Sequence, residues 1–246
     1  MKGKIQVIKI GSNCIIKDGG VDYGVVKKIG YEVAELINEK NWQPILVVSG
    51  AVGLGMNLLG YEEKPKERIV LQRCAGIGQK ELMRAWDIGF AGYVLTSQFL
   101  LTYHNFNNPS EIENIRNCLL DDLKNGIVPL VNYNDKVDWQ EVAKDNDEMA
   151  SDIAVYLKAS LLIILTSVDG LLDEKRVVRE ITLNDIKKYE ELCRGSGRYG
   201  TGGFLTKLEA AKKAAAGGVE CLIGNVKYKL KDLIKGQVPR TRISSA

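Results

Sequence analysis

The stretch "SLLIILTSVDG", residues 160–170, joins a continuously apolar run to a small polar end, Thr166 and Ser167. A short apolar run bounded by turn residues is typical of a strand buried on both faces, and such strands belong to parallel sheets covered by helices. The runs that share this pattern are "KIQVIKIG" (4–11), "PILVVSG" (44–50), "YVLTSQFLL" (93–101), "IVPLVNYND" (127–135) and "GVECLIGN" (218–225).

Segments with a helical repeat separate these strands. Apolar residues recur at positions 25, 26, 29, 33, 36 and 37, which is a helical spacing. The other predicted helices lie in residues 66–91, 108–126 and 145–159 and from Lys207 to about residue 218, and the segment around His104 is predicted to be a loop. Alternation of strand and helix predicts an α/β fold with a mainly parallel sheet and helices on both faces.

Bulk composition narrows the class of protein. The chain has 246 residues and a net charge of +3, which is too small to indicate a nucleic-acid partner. Its apolar runs are shorter than a membrane span, and the start resembles no signal peptide. We therefore expect one domain over residues 1–246, with no membrane or nucleic-acid partner.

The cysteines and the single histidine limit the available chemistry. Five widely spaced cysteines without a CxxC motif favour a reducing cytosol, hence a cytoplasmic protein, and give no metal-site pattern. His104 is the sole histidine, so histidine-based catalysis is disfavoured, and lysines and carboxylates remain. The basic segment 226–242 is expected to be a solvated edge.

Small or polar residues follow the predicted strands. In an open α/β sheet, ligands bind beyond the carboxyl ends of the strands. The residues found there are Gly11 and Ser12, Ser49 with Gly50 and Ala51, Asn132 with Asp135, and Thr166 with Ser167. This composition suits a site for a phosphate and a polar metabolite.

Two lysines stand where a phosphate could be held. Lys9 interrupts the apolar strand "VIKIG", and a buried lysine is costly without an anionic partner. An outward-facing side chain remains the alternative. Lys207 follows the bare loop "GTGGFLT" (200–206) at the start of a helix, where unpaired N–H groups attract anions. Asp147 lies at another helix start, where capping is its ordinary role.

Standard phosphate motifs do not account for this pattern. "GSGRYG" (195–200) spells GxGxxG, but it follows a helix, whereas dinucleotide binding requires a preceding strand. The chain contains no P-loop.

The motifs taken together resemble the glutamate 5-kinases, a branch of the amino acid kinase family. The resemblance spans residue 5 to about residue 225. It rests on "VIKIGSN", "VVSGAVGLG", "CAGIGQ", "VPLVNYNDKV", "DNDEMASDIA", "LLIILTSVDGLLD" and "GTGGFLTKLEAAKKA", which occur in the family's order.

This resemblance implies a three-layer α/β/α sandwich, without the C-terminal PUA domain of many relatives. It implies transfer of the γ-phosphoryl group of ATP, with Mg²⁺, to the γ-carboxylate of L-glutamate, the first step towards proline. Lys9 and Lys207 match the phosphate-stabilising lysines, and Asp147 matches the residue that orients them. The matching ATP positions are Lys9, Gly11, Ser12, Thr166, Ser167, Thr201, Gly202, Gly203, Phe204, Leu205, Thr206 and Lys207. The matching glutamate positions are Ser49, Gly50, Ala51, Asn132, Asp135 and Asn146.

The chain departs from the family pattern at several positions. Tyr133 replaces a glutamate, Ser167 replaces an aspartate, Phe204 replaces a methionine, and "PRTRISSA" (239–246) replaces the usual ending. Two alternatives therefore stay open: a kinase of this family that acts on another small acid or a nucleoside monophosphate, and a non-catalytic ligand-binding relative. The resemblance also implies a homo-oligomer, either dimer or tetramer, and glutamate-5-semialdehyde dehydrogenase as a partner.

Overall fold

The structure is a computed structural model that describes residues 4–40, 42–138, 146–195 and 202–245. The chain divides into two compact units. The N-terminal unit is residues 10–144, and the C-terminal unit combines residues 1–9 with residues 145–246. The single domain expected from the sequence stays a prediction.

The described strands are short and most alternate with helices. They are β1 (Lys4–Ile10), β2 (Ile16–Lys17), β3 (Gly20–Val21), β4 (Trp42–Val48), β5 (Thr96–Leu101), β6 (Val128–Tyr133), β7 (Leu161–Thr166), β8 (Leu172–Asp173), β9 (Arg176–Val177), β10 (Glu180–Thr182), β11 (Cys221–Asn225) and β12 (Arg240–Ser244). The helices are α1 (Ser12–Ile15), α2 (Tyr23–Lys40), α3 (Ala51–Leu58), α4 (Arg68–Phe90), α5 (Tyr103–Asn107), α6 (Pro109–Lys124), α7 (Asn146–Tyr156), α8 (Ile186–Gly195), α9 (Gly202–Ala216) and α10 (Leu230–Lys235).

The N-terminal unit contains the strand order β4-β6-β5, and both pairings are parallel. Val47 pairs with Val131, so the two strands β4 and β6 end at the same edge. Helix α4 packs closely on α3 because it carries glycine at the contact. A Cβ on Gly78 would lie 1.9 Å from the carbonyl oxygen of Ala51, so any side chain at position 78 would separate the helices.

The C-terminal unit contains the strand order β10-β12-β11-β7-β1. Strand β11 runs parallel to β7, with Asn225 opposite Thr166, so both strands end at one edge. All six residues of β7 are buried. Helices α7 and α9 pack on each other, and both contact β7. This arrangement explains the continuously apolar run, because residues on both faces of β7 are covered.

The predicted fold class is confirmed: the central sheet is mainly parallel and flanked by helices. Each predicted strand and helix corresponds to an observed element. None of the described helices has the length and apolar character that crossing a membrane requires.

Three local expectations are wrong. His104 lies in helix α5, not in a loop, and the Asn105 side chain accepts a 2.6 Å hydrogen bond from the Thr102 backbone N–H at its start. The second half of the glycine-rich loop is helical, since α9 begins at Gly202, and Lys207 lies one and a half turns inside it.

The third correction concerns the basic C-terminal segment, expected as a solvated edge. Its last three residues, 240–242, belong to β12 (Arg240–Ser244), which lies between β10 and β11. Thr241 is fully buried, and its hydroxyl accepts a 2.8 Å hydrogen bond from the backbone N–H of Leu171. Burial alternates along "RTRIS", as expected of a strand, but Ile243 is the only apolar residue of the five, so the sequence carries no clear strand pattern.

Candidate active site

A buried carboxylate joins two lysines in the C-terminal unit. Asp147 Oδ1 lies 2.6 Å from Lys9 Nζ, and Asp147 Oδ2 lies 2.9 Å from Lys207 Nζ. The side chains of Asp147, Lys9 and Lys207 are 0%, 4% and 14% exposed, respectively. We call these three residues the two-lysine cluster.

Three elements bring the cluster together. Lys9 is the penultimate residue of β1, Asp147 is the second residue of α7, and Lys207 is the sixth residue of α9. The packing of α7 against α9 places Lys207 beside Asp147, and the Thr206 hydroxyl lies 3.4 Å from the same carboxylate oxygen. Asp147 therefore does more than begin a helix: it is the counter-ion of both lysines.

The charge of the cluster determines what it can bind. Two ammonium groups and one carboxylate leave a formal charge of +1 in a mostly buried site, where charges are weakly screened. Ammonium groups held in this way can stabilise an anion. Lys207 is the more exposed of the two lysines, so it is the more accessible to such a ligand.

A second polar network lies where β7 and β11 end. The Asn225 side-chain amide donates to the Ser167 carbonyl oxygen at 2.8 Å and to Asp169 Oδ1 at 2.9 Å. Lys227 Nζ lies 2.8 Å from Asp169 Oδ1, and the Tyr228 hydroxyl donates to Asp169 Oδ2 at 3.2 Å. The hydrogen bond from Lys227 is the largest cause that holds the pKa of Asp169 below its usual value.

The predicted ATP residues of the C-terminal unit lie on α9, which carries Lys207, and at the end of β7, next to the Asn225 network. Thr166 is the buried last residue of β7, and Ser167 is exposed directly after it. Phe204, Leu205 and Thr206 lie in the first turns of α9, which begins with Gly202 and Gly203. Thr201 lies outside the described residues. The part that these residues play in nucleotide binding stays a prediction.

The predicted substrate loop of the N-terminal unit lies between β4 and α3. Gly50 adopts φ 123°, a conformation that an L side chain rarely takes. A Cβ there would also approach Ile16 Cδ1 to 3.0 Å. Ser49 precedes this turn, and Ala51 is the buried first residue of α3. The turn therefore directs the chain from the strand into the helix start, where backbone N–H groups lack helical partners.

The end of β6 carries the other predicted substrate residues of this unit. Asn132 is buried, and its side-chain amide donates a 2.8 Å hydrogen bond to Gln79 Oε1 of α4. Asp135 lies in the following turn, and burial raises the pKa of its carboxyl to about 6. An ionised but partly desolvated carboxylate has a strong preference for a cationic partner.

The remaining predicted residues lie at the starts of two helices. Gly11 precedes helix α1 and Ser12 begins it, in the N-terminal unit. Asn146 is the buried first residue of α7 and adjoins Asp147 in the C-terminal unit. Asp147 thus brings together all three predicted catalytic residues.

Sequence reasoning missed several polar residues of these regions. Asn225 ends β11 and could have been found by applying the strand-end rule to "GVECLIGN". Asp169 follows β7, whereas Lys227 and Tyr228 follow β11, so no local pattern marks their contacts. Gln79 lies within "CAGIGQ", which supported the resemblance without receiving a role.

Among the described residues, no group of three or more histidine, cysteine or acidic side chains could hold a metal ion.

Comparison with known proteins identifies the family to which these sites belong. The family model described as "Amino acid kinase family" matches residues 4–225. The chain belongs to this family.

Relatives within the amino acid kinase family include proteins named glutamate 5-kinase. The chain is 34% identical to the protein of that name from Lactococcus lactis over 94% of its own length and 91% of the relative's. It is 35% identical to the one from Thermoanaerobacter sp. strain X514, over 90% of its own length. The match spans 62% of the Thermoanaerobacter protein.

Solved structures of the amino acid kinase family share the fold. The structure of carbamate kinase from Giardia lamblia bound to AMP-PNP matches with a TM-score of 0.71 over 99% of both chains. The sequences are 18% identical, so this likeness shows the fold alone.

Proposed function

We propose that this protein transfers the γ-phosphoryl group of ATP to the γ-carboxylate of L-glutamate and forms γ-glutamyl 5-phosphate, the first step of proline biosynthesis. The observation that carries the proposal is the two-lysine cluster, in which Asp147 holds Lys9 and Lys207 at 2.6 and 2.9 Å. Two preorganised ammonium groups suit a transferring phosphoryl group. The similarity to glutamate 5-kinases supports the choice of acid.

The reaction demands little covalent chemistry from the protein. A γ-carboxylate oxygen attacks the γ-phosphorus of ATP, the bond from that phosphorus to the β,γ-bridging oxygen breaks, and ADP leaves. Negative charge spreads over the equatorial oxygens in the transition state, so catalysis rests on positioning and electrostatic stabilisation. Lys9 and Lys207 are placed to provide that stabilisation because Asp147 fixes both ammonium groups before the nucleotide arrives.

ATP is expected to enter as its Mg²⁺ complex, so the ion arrives with the substrate. Its phosphates would approach the start of α9, where Gly202, Gly203 and the backbone N–H groups offer an anion site. Thr166, Ser167 and the network around Asp169 would contact the nucleoside end. Thr201, Phe204, Leu205, Thr206 and the Gly11–Ser12 turn complete the proposed nucleotide set.

Glutamate recognition is assigned to complementary charges. The Asp135 carboxylate would accept the substrate's α-ammonium group, because a buried carboxylate gains most from a cation. Ser49, Gly50 and Ala51 would offer hydroxyl and N–H donors to a carboxylate, and Asn132 and Asn146 would add amide donors. An N-acylated acid has no ammonium group, so Asp135 favours a free amino acid.

The remaining proposals concern the cellular setting. We place the protein in the cytoplasm, and no disulfide joins its five cysteines, which is consistent with a reducing compartment. We also propose a homo-oligomer, dimer or tetramer. An acyl phosphate hydrolyses readily, so glutamate-5-semialdehyde dehydrogenase is the proposed consumer of the product.

The test is an assay with ATP, Mg²⁺ and hydroxylamine, which traps an acyl phosphate as a hydroxamate. Glutamate, aspartate, N-acetylglutamate and no acid are compared. Hydroxamate from glutamate alone is the expected result. Hydroxamate from another acid, or none from any acid, would overturn the proposed substrate.

A lysine variant tests the site itself. Lys207→Ala removes transition-state charge stabilisation, and we expect kcat to fall by at least about 100-fold. Lys212→Ala is the matched control, because Lys212 lies on the same helix and its ion pair with Glu190 is exposed. A Lys207→Ala protein with near-normal turnover would remove the cluster from the mechanism.

A further inference from the structure

Gln79 presents a buried hydrogen-bond donor that no residue described by the structure pairs. It lies in the middle of α4, and its Oε1 accepts the 2.8 Å hydrogen bond from Asn132. Its Nε2 is buried and makes no hydrogen bond to any residue that the structure describes. A buried donor left unpaired costs free energy, and such groups in native proteins are commonly completed by a ligand or an ordered water.

Three contacts locate this amide among the proposed substrate residues of the N-terminal unit. The neighbouring Gly78 lies against the Ala51 carbonyl, in the first turn of α3. Gly76 lies about one helical turn before Gln79. A Cβ on Gly76 would lie 3.0 Å from the side chain of Lys136, which adjoins Asp135. The bond to Asn132 holds the amide itself at the end of β6.

The bond to Asn132 also fixes which atom of the amide is available. Asn132 donates through Nδ2, and its Oδ1 accepts from the Tyr133 backbone N–H at 2.9 Å. The Gln79 oxygen is therefore committed to Asn132, and the amide must present its nitrogen elsewhere. The available group is a donor, held in one orientation before any ligand binds.

We propose that Gln79 is a substrate-binding residue whose Nε2 donates a hydrogen bond to a carboxylate oxygen of the acid substrate. The inference rests on the proposed function and adds a recognition residue to it. An ionised carboxylate accepts hydrogen bonds and cannot donate them, so it matches a lone donor. Gln79 and Asp135 then divide the recognition of an amino acid, with Asp135 taking the ammonium group and Gln79 a carboxylate.

The substitution Gln79→Glu isolates this donor. Glutamate has almost the same shape and keeps an oxygen to accept the bond from Asn132, but it replaces Nε2 with a second oxygen. A hydrogen bond to the substrate would become a repulsion between carboxylates. We expect the KM for glutamate to rise at least about tenfold, because hydrogen bonds to charged groups are strong. The KM for ATP should change less than about threefold.

The matched control is Gln72→Glu. Gln72 lies on the same helix seven residues earlier, about two turns away, so the control carries the same change in charge. It should leave the KM for glutamate within about twofold of the wild type. Thermal unfolding checks each variant, and a midpoint within about 4 °C of the wild type shows that the fold is kept.

The outcomes separate the inference from the proposed function. If the wild type uses glutamate and Gln79→Glu binds it normally, the inference is overturned while the proposed function stands. If the wild type phosphorylates no amino acid, the proposed function fails and the inference fails with it. Should Gln79→Glu not fold, Gln79→Met provides the same comparison, since it also lacks the donor; an unchanged glutamate KM there overturns the inference.

Discussion

Replacing Asp135 with asparagine should make the protein more stable and a worse enzyme at the same time. Asp135 lies in the turn after β6, where burial raises the pKa of its carboxyl to about 6. The proposed function needs this carboxylate ionised in order to bind the α-ammonium group of glutamate. Without substrate, the folded protein therefore holds a negative charge in a partly desolvated environment. Asparagine removes that charge with little change in size.

The size of the effect follows from the pKa. A rise from 3.8 to about 6 corresponds to about 3 kcal/mol, at about 1.4 kcal/mol per pKa unit. The side chain keeps some contact with water, which screens the charge, so we expect about 1–3 kcal/mol.

The sign follows from proton binding. Between about pH 4 and pH 6 the folded state binds more protons at Asp135 than the unfolded state. Ionisation of Asp135 therefore lowers the free energy of unfolding progressively through this interval, and the loss is complete above about pH 6.

Urea unfolding and steady-state kinetics measure the two effects. At pH 7.5 the Asp135→Asn protein should unfold at higher urea than the wild type, and the difference should shrink as the pH falls from about 6 towards about 4. The KM for glutamate should rise at least about tenfold while the KM for ATP changes less than about threefold. Asp138→Asn, in the same segment, is the control for a loss of charge.

Two results would refute this reasoning. A variant that is less stable than the wild type at pH 7.5 would show that the Asp135 carboxylate has a favourable partner in the free protein. Equal increases in the KM values for glutamate and ATP would show that Asp135 does not recognise the acid.

Two further predictions concern the C-terminal unit. Asp147→Asn leaves Lys9 and Lys207 without their counter-ion, so the free energy of unfolding should fall by about 3–5 kcal/mol in urea titrations. Asp152 lies on the same helix as Asp147 and forms a more exposed ion pair with Lys213 of α9. Asp152→Asn should therefore cost less than about 1 kcal/mol. Similar losses for both variants would contradict the buried-pair argument. Ser167→Asp should fold normally, because Ser167 is exposed after β7, and should raise the preference for ATP over GTP in kcat/KM by about tenfold. An unchanged ratio of kcat/KM for ATP to that for GTP would show that residue 167 does not contribute to nucleotide selection.

Much of the fold could be predicted because its signals are local. The run Leu161–Leu165 indicated a strand covered on both faces, and β7 is buried throughout. Helix α2 follows from apolar positions that repeat at helical spacing. These patterns depend on neighbours a few residues away, so they survive without knowledge of the remaining chain. The strand-end rule also indicated Asn132 and Thr166 as ligand-edge positions, although it was not applied to Asn225.

The sequence pattern gave wrong predictions for segments whose structure depends on tertiary packing or whose polar residues leave no clear strand pattern. Strand β12 carries four polar residues in five and was expected to be a solvated edge, yet pairing on both sides buries Thr241. The glycines before Lys207 suggested a loop, but α9 already begins at Gly202. Glycine is a poor helix former in isolation, so tertiary contacts decide this helix start.

The sequence by itself determined the order and type of the elements, the small polar residues at the strand ends, and the presence of Lys9 in an apolar strand. Only the tertiary structure decided which groups share a charge or a hydrogen bond. Asp147 meets Lys207 from 60 residues away, and Gln79 meets Asn132 from 53 residues away. Such contacts depend on strand order and helix packing, and no local repeat encodes them. That is why the cluster's residues could be named from the sequence, while the contacts of Asp147 with both lysines, and the Gln79 Nε2 that no described residue pairs, come only from the structure.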